Sequence, residues 1–149
     1  MSKTEYSTPL AFVLLNEIGI VNQLSSARFE ALLPKGLNRS QFAVLNNFAR
    51  LGGTRTPAQL ADAFQVTRGA MTNTLKRLED KGCVKIATNN ADGRSKEVSM
   101  TAKGRRLREA AVAATEPELA SMIAAMGADQ IEQALPFLQQ LRAWLDDNR

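Results

Sequence analysis

Residues 56 to 82, "TPAQLADAFQVTRGAMTNTLKRLEDKG", constrain the fold of this chain more than any other stretch. Thr56, Pro57 and Gln59 spell a helix start: a capping hydroxyl, a proline in the first turn where its missing N–H costs nothing, and a capping-box partner. Leu60, Ala61 and Phe64 then fall on one inward side. After the short link "FQV", Thr67 can cap a second helix that runs to Gly82 as its C-terminal stop. Two helices joined by so short a link have helix-turn-helix geometry.

On a helical wheel, Met71, Leu75 and Leu78 lie within about 60° of each other and mark the core side of the second helix. Arg68, Thr72, Asn73, Lys76 and Arg77 spread over the opposite half, with Gly69 among them. Donors at the N-terminal end of such a helix suit presentation to a DNA major groove. Glu79 and Asp80 arrive in the last turn, where they would repel phosphate if the helix lay flat along DNA. The helix should therefore enter end-on.

The next stretch, "CVKIATNNADGRSKEVSMT" over residues 83 to 101, changes period. Val84 and Ile86 alternate with Lys85 and Ala87, and Val98 and Met100 with Glu97 and Ser99, while Asn89 to Ser95 supplies turn chemistry. The pattern predicts a β-hairpin appended to the helix-turn-helix, a wing. Arg94 at its tip and Lys96 behind it are long enough to reach a phosphate backbone or a minor groove. Asp92 suits pairing with Arg94 or a turn amide, which would hold the tip in shape.

The flanks are helical. Thr8 and Pro9 fit a cap and first residue of a helix over 8–33, and Leu10, Val13, Leu14, Ile20, Val21 and Leu24 give it one apolar face interrupted by Glu17. Ser40 to Leu51 forms another helix through Phe42, Leu45 and Phe48, closed by Gly52 and Gly53. Thr101 can cap a long helix with Lys103, Arg105, Arg106 and Arg108 in its first turns; Pro117 should bend it or mark a join, and Gly127 should stop it. A last helix over 129–147 carries Ile131, Leu135, Leu138, Leu141 and Leu145 at the spacing of an interhelical seam, with Pro136 interrupting its backbone ladder. These terminal helices hold more apolar surface than the small middle region can cover, which points to a second copy. A two-fold dimer would set two recognition helices roughly 34 Å apart, matching a palindromic site.

Charge supports that direction. Arg50 to Arg108 holds 13 Lys+Arg against 5 Asp+Glu, or +8, while the rest holds 6 against 10, or −4, summing to the net +4. A basic segment in the middle is the footprint of a surface for polyanions. The absence of His removes His-based nucleophile systems and His-ligated zinc, and the single Cys83, read as a buried inert thiol, removes internal disulfides and multi-cysteine metal sites. No cofactor or metal is expected. The best apolar run, "LAFVLL", is cut by Asn16 and Glu17, so the expectation is a soluble cytoplasmic protein without a membrane span. At 149 residues one domain of mainly α (α+β) class is expected over 1–149.

The order of these elements, with "TPAQLADAFQVTRGAMTNTLKRLEDKGCV" followed by "DGRSKEVSMTAKG", resembles the MarR-type winged-helix transcription regulators from about Asn38 to Leu107. Asp92, Arg94, Met100, Thr101 and Gly104 fall at that family's wing spacing, with Met100 in place of the usual Leu, a volume-conserving change. The resemblance implies a homodimer knitted by helices over 8–33 and 102–147, around a winged helix-turn-helix over 38–101 with its wing over 83–101. It implies binding to a palindromic operator and repression of neighbouring genes. Carried over by position, the DNA-binding residues are Thr67, Arg68, Thr72, Asn73, Lys76 and Arg77 on the helix, with Arg94 on the wing, to which the hairpin reading adds Lys96. Family members often release DNA when a small aromatic or phenolic molecule binds between the dimerisation helices and the winged domain. Residues 1 to 82 contain no Cys, which disfavours peroxide sensing through a first-helix thiol.

Two other readings stay open on sequence alone. One is a winged-helix module that works through protein contacts, since fold does not fix function. The other is an enzyme built on Asp and Glu, which would need a cleft holding perturbed carboxylates.

Overall fold

The computed structural model of the chain describes residues 7–88 and 95–149. Six helices and one antiparallel hairpin make up the described residues: α1 (Ser7–Leu32), α2 (Arg39–Leu51), α3 (Pro57–Phe64), α4 (Arg68–Asp80), β1 (Val84–Thr88), β2 (Lys96–Met100), α5 (Ala102–Met126) and α6 (Ala128–Asp147). The chain divides into two compact units, Met1–Ala114 and Thr115–Arg149.

In the first unit the core gathers Leu37, Val44, Leu45, Phe48, Leu60, Ala61, Met71, Leu75, Leu78, Cys83, Val84 and Val98, all buried. Each element contributes the stripe that its period dictates: Val44, Leu45 and Phe48 from α2, and Met71, Leu75 and Leu78 from α4. Phe64 is only half-buried, packed at the edge of this core. Cys83 is fully buried, as its place between α4 and β1 suggests.

The helix starts are set by side-chain oxygens. In α3, Gln59 N–H donates to Thr56 Oγ1 (3.1 Å) and Thr56 N–H donates to Gln59 Oε1 (2.9 Å), a complete capping box. In α2 the same device uses Asn38 and Gln41, one residue ahead of the expected Ser40 start. Between α3 and α4, Gln65 takes φ 53° and ψ 43°, the left-handed conformation that Gly usually supplies. Its backbone N–H reaches Ala61 and Asp62, so the chain turns within a few residues and the helix-turn-helix closes tightly.

The hairpin pairs Val84 with Met100 and Ile86 with Val98, the register that the alternation predicts. A third edge, absent from the sequence reading, comes from Arg55: its N–H donates to the Val98 carbonyl (3.0 Å) and its carbonyl accepts from Val98 N–H (2.7 Å). β2 is thereby pinned on both sides, beside the start of α3.

One knot joins α4, the hairpin and α5. Thr101 Oγ1 donates to the Gly82 carbonyl (2.6 Å) and accepts from Gly104 N–H (3.1 Å), while Thr101 N–H donates to the Cys83 carbonyl (3.0 Å). Gly104 lies so close to this turn that an added Cβ would sit 2.1 Å from the Cys83 carbonyl oxygen. Two more ties cross long stretches of sequence. Lys81 Nζ donates to Gln41 Oε1 (2.7 Å) and to the Gly36 carbonyl, fastening the end of α4 to the α1–α2 link. Arg108 donates through Nε (3.2 Å) and Nη2 (3.0 Å) to Asn46 Oδ1, fastening α5 to α2.

The helices near the chain ends differ from the sequence expectations in instructive ways. α1 already includes Ser7 and Thr8 among its helical residues, so Thr8 does not hold the cap position expected of it. It does not carry one apolar face: Phe12 and Leu15 stand about 200° and 140° around the helix from Leu10, so apolar residues surround it. Phe12 is 70% exposed, and Leu10, Val13, Leu15, Ile20, Val21 and Leu24 are also exposed. By length and composition Pro9–Leu32 could cross a membrane, with mean hydropathy 1.3 and none of its best window buried. The expectation of no span weighed the short "LAFVLL" run by itself, whereas length and composition are met only when Ile20, Val21 and Leu24 beyond Glu17 are counted with it. α5 runs unbroken across Pro117 and ends at Met126 with Gly127 at φ 89°. The proline takes a donor from the Ala113 carbonyl without ending the helix. α6 likewise continues through Pro136 and leaves Leu135, Phe137, Leu138, Trp144 and Leu145 exposed.

Two substitutions test this packing. Gly104→Ala should destabilise by about 3 kcal/mol or more, roughly 10 °C in Tm, because carbonyl backbone cannot yield to the new methyl; an unchanged thermal melt would refute the close approach. Lys81→Met keeps the apolar stem and removes the ammonium. It should cost about 1–2 kcal/mol in urea unfolding at unchanged slope, and wild-type stability would show that the tie to Gly36 and Gln41 carries nothing.

Candidate nucleic-acid interface

The outward half of α4 is defined by what its inward half buries. With Met71, Leu75 and Leu78 against the core, a wheel puts Gly69, Asn73 and Asp80 within about 30° of the line pointing directly away from it, with Lys76 about 45° off. Arg77 lies about 55° from that line and Thr72 at the edge of the outward half, whereas Arg68, expected on that half, projects nearer the core side and is exposed because it opens the helix. Arg68, Thr72, Asn73, Lys76 and Arg77 are exposed, and among the described residues none has a side-chain hydrogen bond or ion pair. Thr67, also exposed, caps the helix: its Oγ1 accepts from Ala70 N–H at 3.1 Å, and its own O–H proton stays able to donate outward.

This face is graded along its length. Its N-terminal end has a small residue and hydrogen-bonding groups, its middle has Lys76 and Arg77, and its far end has Glu79 and Asp80. From Gly69 to Asp80 the helix rises about 16 Å. An approaching polyanion meets donors at one end and carboxylates at the other, which agrees with entry by the N-terminal end.

Lys96 opens β2 opposite Thr88, on the same strand face as Val98 and Met100 but exposed. Asp92 and Arg94 lie outside the described residues, so the expected wing-tip contact and its support are not placed. The structure thus brings Thr67, Arg68, Thr72, Asn73, Lys76 and Arg77 onto one helix and puts Lys96 on the adjoining hairpin.

Sequence reasoning missed the parts that aim this helix. Lys81 reads as one more basic residue in the middle segment, yet it anchors the end of α4; Arg55 reads the same way, yet its backbone pins β2. Neither has a local sequence signal, because each works through a partner tens of residues away. An open groove of about 600 Å³ beside the Lys81 tie is lined by Leu37, Gln41, Arg77 and Asp80 among others. Its mixed charge favours no single ligand class. Among the described residues no three His, Cys, Asp or Glu side chains gather in a way that could hold a metal ion.

Comparison with known proteins fits this geometry. The MarR family pattern matches residues 35–95, from the α1–α2 link through the helix-turn-helix and β1 to the residue before β2. The helix-turn-helix-type transcriptional repressor Rv2887 of Mycobacterium tuberculosis is 32% identical over 133 residues, covering 89% of this chain and 93% of that protein. AbfR of Staphylococcus epidermidis shares the fold, with a TM-score of 0.79 over 98% of this chain and 99% of that one at 22% identity. A cysteine-to-serine mutant of MarR from E. coli, solved in complex with operator DNA, superposes with a TM-score of 0.68 at 26% identity, covering 95% of this chain and 99% of that one. Close to a third of its residues shared with a repressor along nearly the whole of both chains, and the family pattern running through its helix-turn-helix, establish that this chain belongs to the MarR family.

Proposed function

We propose that this chain is a homodimeric transcriptional repressor that binds a palindromic double-stranded DNA operator through α4 and the hairpin. The observation that carries the reading is the outward side of α4, on which Thr72, Asn73, Lys76 and Arg77 are exposed and, among the described residues, uncommitted while the inward face is locked in the core. Protein donors spent on internal partners could not read base edges; these are free to do so. Asn73 suits the paired acceptor and donor of adenine, and Lys76 suits phosphate. The operator complex of the E. coli relative supports the same use of this fold.

The exposed apolar residues of α1 and α6 support a second copy as the cover for those helices. Such a protein works in the cytoplasm, with α1 buried between protomers rather than in lipid. Release by a small aromatic or phenolic effector completes the family's scheme, and no residue of this chain is assigned to hold one.

In vitro selection from a random duplex library, followed by anisotropy with the selected duplex and a scrambled control, tests the reading. Tight binding to the selected duplex should weaken linearly on a log-log salt plot. Asn73→Ala should cost about 1–3 kcal/mol at one base position, while Lys76→Ala should weaken both duplexes and reduce the salt slope by about 1 per protomer. Equal, weak binding to both duplexes would refute specific recognition. Analytical ultracentrifugation should give twice the 16.3 kDa chain mass; a monomer, or a chain recovered only with membranes, would refute the dimer.

A further inference from the structure

Three glycines lie inside helices of the described residues, and their surroundings differ. Gly104 has an internal reason to be Gly, since a Cβ there would strike the Cys83 carbonyl oxygen at 2.1 Å. Gly19 and Gly69 have none: a Cβ on either meets nothing within 4 Å, and neither has a positive φ that would exclude a side chain. Gly19 sits in α1, whose apolar side chains lie open to solvent. Gly69 sits in the first turn of α4, on the line pointing away from the core and one helical turn before Asn73.

Gly is the poorest helix former after Pro, so at Gly69 the fold loses helix propensity and gains no internal packing in return. We propose that Gly69 is a steric notch for DNA: it lets the α4 backbone approach the duplex at the point where a Cβ, standing about 1.5 Å further out, would hold Asn73 and its neighbours away from the base edges. The proposal rests on the DNA-binding reading above and deepens it by making Gly69 a positioning residue for recognition.

The grading of the face places the notch. At the far end of the same line, Asp80 would hold phosphate away, so close approach is confined to the N-terminal turns. Gly69 is the residue of that line nearest the N-terminus. Its exposed neighbours Thr72 and Asn73 lie about 60° and 40° to either side of it around the helix, and both carry side chains where Gly69 has none. A protein surface that had to meet only water would gain from a side chain at this position.

The test separates folding from recognition because the two respond in opposite directions. Gly69→Ala and Gly69→Met are measured by thermal unfolding and by anisotropy on the duplex selected with the wild-type protein, alongside Lys76→Ala. Both Gly69 variants should melt at or above the wild-type temperature. Gly69→Ala should bind the selected duplex roughly tenfold more weakly and Gly69→Met more weakly still, as expected for overpacking at a contact. Wild-type affinity in both variants, with Lys76→Ala impaired, would overturn the notch and leave the DNA-binding reading standing. A lowered melting temperature for Gly69→Ala would also overturn it, by showing an internal role. Failure of the wild-type protein to select any duplex would overturn both readings together.

Discussion

Burial of Met71, Leu75 and Leu78 is the constraint on which the rest of the structure depends. Those three side chains fix the rotation of α4 about its axis, and that rotation alone decides which residues face outward. Turning the helix by a quarter would bring Thr72 or Thr74 toward the apolar core and carry Asn73 away from the exposed centre line. Leu45, Phe48 and Leu60 complete the seat, so α2 and α3 share in fixing how α4 is turned.

A seat fixes rotation but not tilt, and tilt is supplied by ties at the two ends of α4. At its start, the left-handed turn at Gln65 and the Thr67 cap set where the helix begins. At its end, Lys81 holds it to the link after α1, and the Thr101 hydroxyl and Gly104 hold the following turn against the start of α5. Movement of α1 or of the first turns of α5 therefore has a direct route to the orientation of α4. The buried Cys83 belongs to this junction, where its role is to fill space and to offer its carbonyl to Thr101.

Local patterns made much of this legible in the sequence. The cap at Thr56, the period of α4 and the alternation in the hairpin each operate within a few residues, and each appears in the structure at the expected place. Contacts that join distant residues were not legible: Lys81 with Gln41, Arg108 with Asn46, and Arg55 with Val98 have no spacing rule to reveal them. α1 was misread for a different reason. A helix apolar all round has no single face, and picking the residues that fit one face left Phe12 and Leu15 unused. The candidate site follows the same division. Which side chains point outward was readable from periodicity, whereas the ties that aim the helix were not.

The central claim is that the outward face of α4 is the surface that meets DNA. Backbone amide NMR of the labelled protein, titrated with a duplex obtained by in vitro selection, tests it most directly. Shifts or broadening should concentrate in residues 67–77 and around Lys96 at the start of β2, with α6 unperturbed. Perturbation centred on α1 or α6, with the α4 amides unchanged, would contradict the account.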